Sequence, residues 1–164
     1  MRTETIVKTY LKFDELNDEQ KEQVIENNFA YDAWHYEHCM QERIDTLKAL
    51  AKRINGRLDY CISCVPDRGE FIKIDHDNED DLKEYLRELI EDKKDCPLTG
   101  VCYDEDIRES LDKNNLSMEA LQGVLDGYLE SIHREYESML SVEYIGELCE
   151  ENEYEFDLDT LKLA

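Results

Sequence analysis

Carboxylates are the residues of this chain whose number and spacing most directly suggest chemistry. From Glu130 to Asp159 eleven Asp and Glu side chains face one cation, Arg134, a net charge of −10. From Asp75 to Asp92 nine carboxylates face Lys83 and Arg87, a net charge of −7. On a helix, acids three or four positions apart sit roughly 5–6 Å from one another, a spacing near that of nucleic-acid phosphates. Such a row can engage guanidinium and ammonium groups through charge-assisted hydrogen bonds. The residues that carry this reading are Glu130, Glu137, Glu143, Glu147, Glu150, Glu151, Glu153 and Glu155, with Asp77, Glu79, Asp80, Asp81, Glu84 and Glu88 as a second patch. The plainer reading is an acidic coat that only keeps the fold soluble. Mixed signs would serve that end and add helix-stabilising ion pairs, which these blocks largely forgo.

Sulfur and imidazole offer weaker signals. Cys61-x-x-Cys64 with Cys96 and Cys102 has the ligand types of a four-sulfur zinc site. The interval from Cys96 to Cys102 is not that of a zinc knuckle, and in an extended strand Cys61 and Cys64 point to opposite faces. Small buried hydrophobes are the better reading of these thiols. His35, His38 and Cys39 share a helical face, but Trp34 and Tyr36 beside them suggest packed aromatics with hydrogen-bonded histidines. Asp75, Asp77, Glu79 and Asp81 lack the glycine and terminal Glu of an EF-hand loop. No metal and no cofactor are expected. There is no G-x-S-x-G, P-loop or dinucleotide fingerprint, and paired carboxylates are too numerous for one catalytic pair to stand out, so the chain reads as a non-enzyme. Tyr31, Tyr36, Tyr128, Tyr136, Tyr144 and Tyr154 suit interface anchors better than catalysts.

The totals agree with a binding role. With 42 acidic and 19 basic residues in 164, the net charge is −23. That field repels phosphate backbones and anionic lipid, which points away from direct nucleic-acid or membrane binding and toward a basic protein partner. No apolar run approaches the length of a bilayer span, and Met1-Arg2-Thr3-Glu4 does not open a signal peptide. The six cysteines are therefore expected to be reduced thiols inside a cell.

The elements that must position the acids follow from periodicity. Thr3 to Lys12 alternates as a strand, and Asn17 with Gln20 forms a capping box opening a helix near Asp18 to Asn28. A longer helix is expected from about Tyr31 to Asn55, stopped by Gly56. Leu58 to Val65 and Glu70 to Ile74 read as strands joined by Pro66-Asp67-Arg68-Gly69. Leu82, Leu86, Leu89 and Ile90 stripe an acidic helix, and a short helix near Asp104 to Lys113 precedes Ser117, an N-cap. Met118, Leu121, Leu125, Tyr128, Ile132 and Leu140 mark a long amphipathic helix. Ser141 caps the next, which ends near Glu151, and Tyr154 to Phe156 reads as an edge strand. The expected fold is α+β: a single domain over residues 1–164, a small antiparallel sheet packed with several helices, and a long acidic C-terminal helix.

The two ends also resemble a known family. "KFDELNDEQKEQVIE" (Lys12 to Glu26), with its preceding strand, and "REYESMLSVEYIGELCEENEYEF" (Arg134 to Phe156) are similar to segments of small acidic phage and prophage proteins. Some members carry an antitoxin label, and others are candidate inhibitors of bacterial defence. The family's Gly- and Trp-rich central hairpin is replaced here by "YCISCVPDRGEFIKI" (Tyr60 to Ile74). The resemblance implies a phage protein acting in the cytoplasm of a bacterial host. Joined to the acidity, it suggests an anti-CRISPR or other anti-defence protein that presents carboxylates to the basic groove of a CRISPR effector or similar nuclease. The alternatives are an antitoxin-like regulator of a basic toxin and a zinc-stabilised module.

Overall fold

The computed structural model describes residues 8–30, 33–62 and 69–164, with residues 33–39 described as backbone only. The fold is α+β, with six α-helices and two small antiparallel sheets among the described residues. The chain forms two compact units, one from Met1–Trp34 with Glu135–Ala164 and one from His35–Arg134.

In the unit built from the chain ends, β1 (Tyr10–Lys12) leads through a 3-10 turn at Phe13–Glu15 into α1 (Asp18–Asn28). The capping box is present: Asn17 Oδ1 accepts the Gln20 N–H at 2.9 Å and Gln20 Oε1 accepts the Asn17 N–H at 3.0 Å. After the helix α6 (Val142–Glu151) come β4 (Glu155–Asp157) and β5 (Lys162–Leu163). The strand order is β1-β4-β5, so β4 is the central strand and not the expected edge. Tyr10 pairs with Asp157, and Phe156 lies between Leu11 and Leu163. Its ring is fully buried and meets Phe13 edge-on at 6.3 Å. Leu16, Val24, Ile25, Ile145, Cys149 and Leu161 complete this core. Residues 3–7 of the expected first strand lie outside the described residues.

The other unit packs most of α2 (Ala33–Arg53), β2 (Arg57–Cys61), β3 (Phe71–Asp75), α3 (Glu79–Glu91), α4 (Tyr103–Ser110) and most of α5 (Met118–Met139). Leu47 and Leu50 from α2, Ile54 just beyond its end, Ile72 and Ile74 from β3, and Leu82, Leu86 and Leu89 from α3 are fully buried with Leu121 and Leu125. Each such side chain contributes about 1.5–3 kcal/mol of hydrophobic stabilisation relative to exposure. β2 ends at Cys61, short of the expected Val65, and residues 63–68 lie outside the described residues.

α2 stops in a different way from the one expected. Asn55, with φ of 53°, takes the left-handed position, and the Gly56 N–H returns to the Ala51 carbonyl at 2.8 Å. Gly56 is required for space instead: a Cβ there would lie 2.5 Å from Ile74 Cγ2. Leu140 departs from the long stripe, since α5 ends at Met139 and Leu140 packs in the core of the chain-end unit. No helix among the described residues is long and apolar enough to cross a membrane.

Candidate functional site

All fourteen carboxylates singled out above are exposed. Among the described residues only Glu79 and Asp80 are ion-paired, both to Lys83 on the same helix at 3.4 and 3.9 Å. The structure divides them between the two units. Glu137, Glu143, Glu147, Glu150, Glu151, Glu153 and Glu155 belong to the chain-end unit, while Glu130 lies on the part of α5 in the other. Asp77, Glu79, Asp80, Asp81, Glu84 and Glu88 belong to that other unit.

Local rules account for much of the α3 patch. Asn78 caps the helix, its side chain accepting the N–H groups of Asp80 at 3.0 Å and Asp81 at 3.5 Å. Acids in the first turn meet the positive end of the helix dipole, worth about 0.3–1 kcal/mol each. Glu84 and Glu88 are exposed while Leu82, Leu86 and Leu89 are buried. Asp75, at the end of β3, is held below the usual carboxylate range by Lys73 and then Arg57. It is occupied by those cations at 2.7 and 3.2 Å.

The α6 patch is built differently. Ser141 Oγ accepts the Tyr144 N–H at 3.2 Å and starts the helix as expected. Ile145 and Cys149 face the core, while Glu143, Glu147 and Glu150, at intervals of four and three, form one exposed row. The helix ends with Glu153 in the left-handed region at φ of 54°, where glycine is the usual occupant. The Tyr154 N–H closes the turn on the Cys149 carbonyl at 2.9 Å.

Beside this row runs a groove of about 360 Å³. Phe13, Val142, Gly146, Cys149 and Tyr154 supply its apolar lining. Its polar lining is five carboxylates (Asp14, Glu143, Glu147, Glu150, Glu153) against two ammonium groups, Lys12 and Lys21. Sequence reasoning identifies four of these acids, since periodicity alone picks out three and Glu153 stands in the acidic run, and it misses Asp14, Phe13, Val142 and Gly146. A glycine within an otherwise good helical pattern was the available signal.

A second feature that sequence reasoning missed is the buried carboxylate of Asp104, fully inaccessible at the start of α4. It accepts the N–H groups of Leu98, Thr99 and Gly100 at 2.8, 2.6 and 3.1 Å and the Thr99 and Thr46 hydroxyls at 2.7 and 3.2 Å. Burial pushes its pKa up, but those hydrogen bonds outweigh it and hold the carboxyl below its ordinary value. Nearby Arg43, also buried, lies over the rings of Tyr103 and Tyr128 at 4.1 and 5.2 Å. Tyr128, offered above as an interface anchor, is a core residue whose hydroxyl is pushed up to about 12 by burial. The satisfied Asp104 holds the loop against α4 and has no free lone pair for proton transfer.

The thiols depart from the expectation of burial. Cys61 and Cys102 are exposed and Cys96 is half-buried, because β2 turns Cys61 outward opposite the exposed Phe71 and Cys102 precedes α4 on the surface. Cys64 and the side chains of His35, His38 and Cys39 lie outside the described residues. Among the described residues no cluster of three or more His, Cys, Asp or Glu is arranged to hold a metal.

Compared with models of known families, with curated proteins and with solved structures, the chain matches none.

Proposed function

We propose that this chain is a non-catalytic binding protein: a phage-encoded inhibitor of a bacterial defence nuclease, in its most specific form an anti-CRISPR protein. Its carboxylates stand where the nuclease would hold phosphates, so that a groove lined with Lys and Arg closes on protein instead of DNA or guide RNA. The observation that carries the reading is that twelve of the fourteen acids are exposed with no cation paired to them among the described residues. A net charge of −23 would also speed encounter with a basic partner. Such a surface spends its charge on a partner better than on its own fold, because self-repulsion destabilises the compact state.

The experiment is inhibition of a purified CRISPR effector by the full chain and by a Glu143→Lys, Glu147→Lys, Glu150→Lys variant. The variant should keep its thermal midpoint and lose inhibition, and added salt should weaken the parent complex. Undiminished inhibition by the folded variant would exclude electrostatic mimicry through α6. Absence of binding to any effector in the defence-competent host would exclude the nuclease as partner.

A further inference from the structure

We infer that the α6 groove is a docking site for a cationic segment carrying one apolar side chain, the apolar group entering the groove while flanking Lys or Arg residues meet the acids on its rim. The inference rests on the binding-protein reading above and adds to it a contact that pure charge mimicry does not need.

Two residues in the groove run against local stability, in opposite senses. Gly146 sits inside α6, where glycine is unfavourable by roughly 0.5–1 kcal/mol relative to alanine. Nothing in this chain demands it, because a Cβ there would lie 3.6 and 3.7 Å from the Phe13 ring, an ordinary contact. Glu153 sits at the left-handed position that closes the helix, where glycine would relieve strain. The helix therefore lacks a side chain where one would support it and carries a carboxylate where glycine would. Both departures serve the groove: the first keeps it open over Phe13, and the second adds an acid to its rim. Local rules are broken in this way where a surface has another task.

Charge complementarity identifies the occupant. Five acids outnumber two lysines around an apolar floor, so an anionic or neutral ligand is disfavoured against a cationic one. Lys21 already shows the chemistry, its ammonium lying 5.8 Å from the Phe13 ring centre. Val142 is exposed at the groove's edge and offers an apolar contact as the chain enters. The groove has room for an apolar side chain, and an apolar anchor set in a pocket ringed by charges is how interface hot spots are built.

The test uses the full chain and two fluorescent arginine-rich peptides that differ only at the centre, one with leucine and one with glycine. At about 0.15 M salt the leucine peptide should bind about tenfold tighter, the effect of burying one such side chain. Gly146→Leu, which occupies the part of the groove over Phe13 without changing charge, should erase that preference and leave binding of the glycine peptide within roughly twofold. Val142→Ser provides an independent check and should reduce the preference in a chain with the same backbone. Equal binding of both peptides, or a preference that survives both variants, overturns the groove while leaving the acidic surface intact as a binding face. Failure of both peptides to bind at low salt overturns the groove and the acidic binding face together. A leucine preference in a chain that inhibits no nuclease keeps the groove and removes only the proposed target.

Discussion

Asp104 is bonded twice to Thr99, five residues before it: one carboxylate oxygen accepts the Thr99 N–H at 2.6 Å and the other accepts its hydroxyl at 2.7 Å. The same carboxylate, itself fully buried, serves Leu98, Gly100 and Thr46, so its removal leaves several donors short of an acceptor. Asp104→Ala should lower stability by about 3 kcal/mol in urea denaturation, the effect of losing several hydrogen bonds to one buried, charged acceptor. The folded-state pKa is depressed, so the stabilisation is present above the unfolded value of about 3.9 and is lost as pH falls through the lower folded value. The gap between the parent and Asp104→Asn should therefore hold from neutral pH to about 4 and close below it. A gap unchanged in more acid solution would contradict an ionised Asp104.

The glycines of the other unit separate into two kinds. Gly123 and Gly127 lie exposed inside α5, and a Cβ at either would meet nothing within 4 Å. Gly123→Ala and Gly127→Ala should each raise stability by about 0.5–1 kcal/mol. Gly56→Ala should lower it by about 1–3 kcal/mol, because its Cβ would fall 2.5 Å from Ile74 Cγ2 and 3.1 Å from the Asp75 carbonyl. Thermal denaturation of the three variants checks both signs, and a stabilised Gly56→Ala chain would contradict the close approach of α2's end to β3.

Lys8 and Asp157 form an ion pair at 2.7 Å in the chain-end unit. The hydrogen bond from Lys8 holds Asp157 below the usual carboxylate range, and the same bond raises Lys8. Asp157 contributes stability above its unfolded pKa of about 3.9, lost as pH falls through the folded value; Lys8 contributes below about 10.4, lost as pH rises through its folded value. Asp157→Asn should thus melt below the parent at neutral pH, and the difference should vanish in acid. Lys8→Met should show its difference at neutral pH and lose it in strong base. A pH-independent effect of either substitution would mean that the pair is not what it disrupts.

Thiol reactivity follows burial. Maleimide should modify Cys61 and Cys102, which are exposed, before Cys149, whose thiol is buried in the chain-end core and pushed up to about 11 by that burial. Cys96 should also lag, since burial and then Glu105 raise its thiol. Peptide mapping by mass spectrometry after timed labelling gives the order. Modification of Cys149 in native conditions as fast as Cys61 would place that helix face outside the core.

What the chain determines from its own local order is considerable, and the residues show why. Asn17 with Gln20, Ser117 and Ser141 each mark a helix start because a cap and the N–H it satisfies lie within three positions. The stripes of Leu82, Leu86 and Leu89 and of Leu121, Leu125, Tyr128 and Ile132 reveal buried faces because the helical period is itself local. Exposure of the acids opposite those stripes follows from the same period. Tertiary structure alone decides the rest. The Tyr154 to Phe156 run alternates as any short strand does, and only pairing with Tyr10–Lys12 on one side and Lys162–Leu163 on the other makes β4 central. Asp104 reads as one more acid until residues 98–100 fold back onto it. Gly146 reads as a weak point in a helix until Phe13, more than a hundred residues earlier, lies beneath it. Caps and periods are set by neighbours in the chain, whereas strand order, buried acceptors and grooves are made by groups that meet only after the chain has closed on itself.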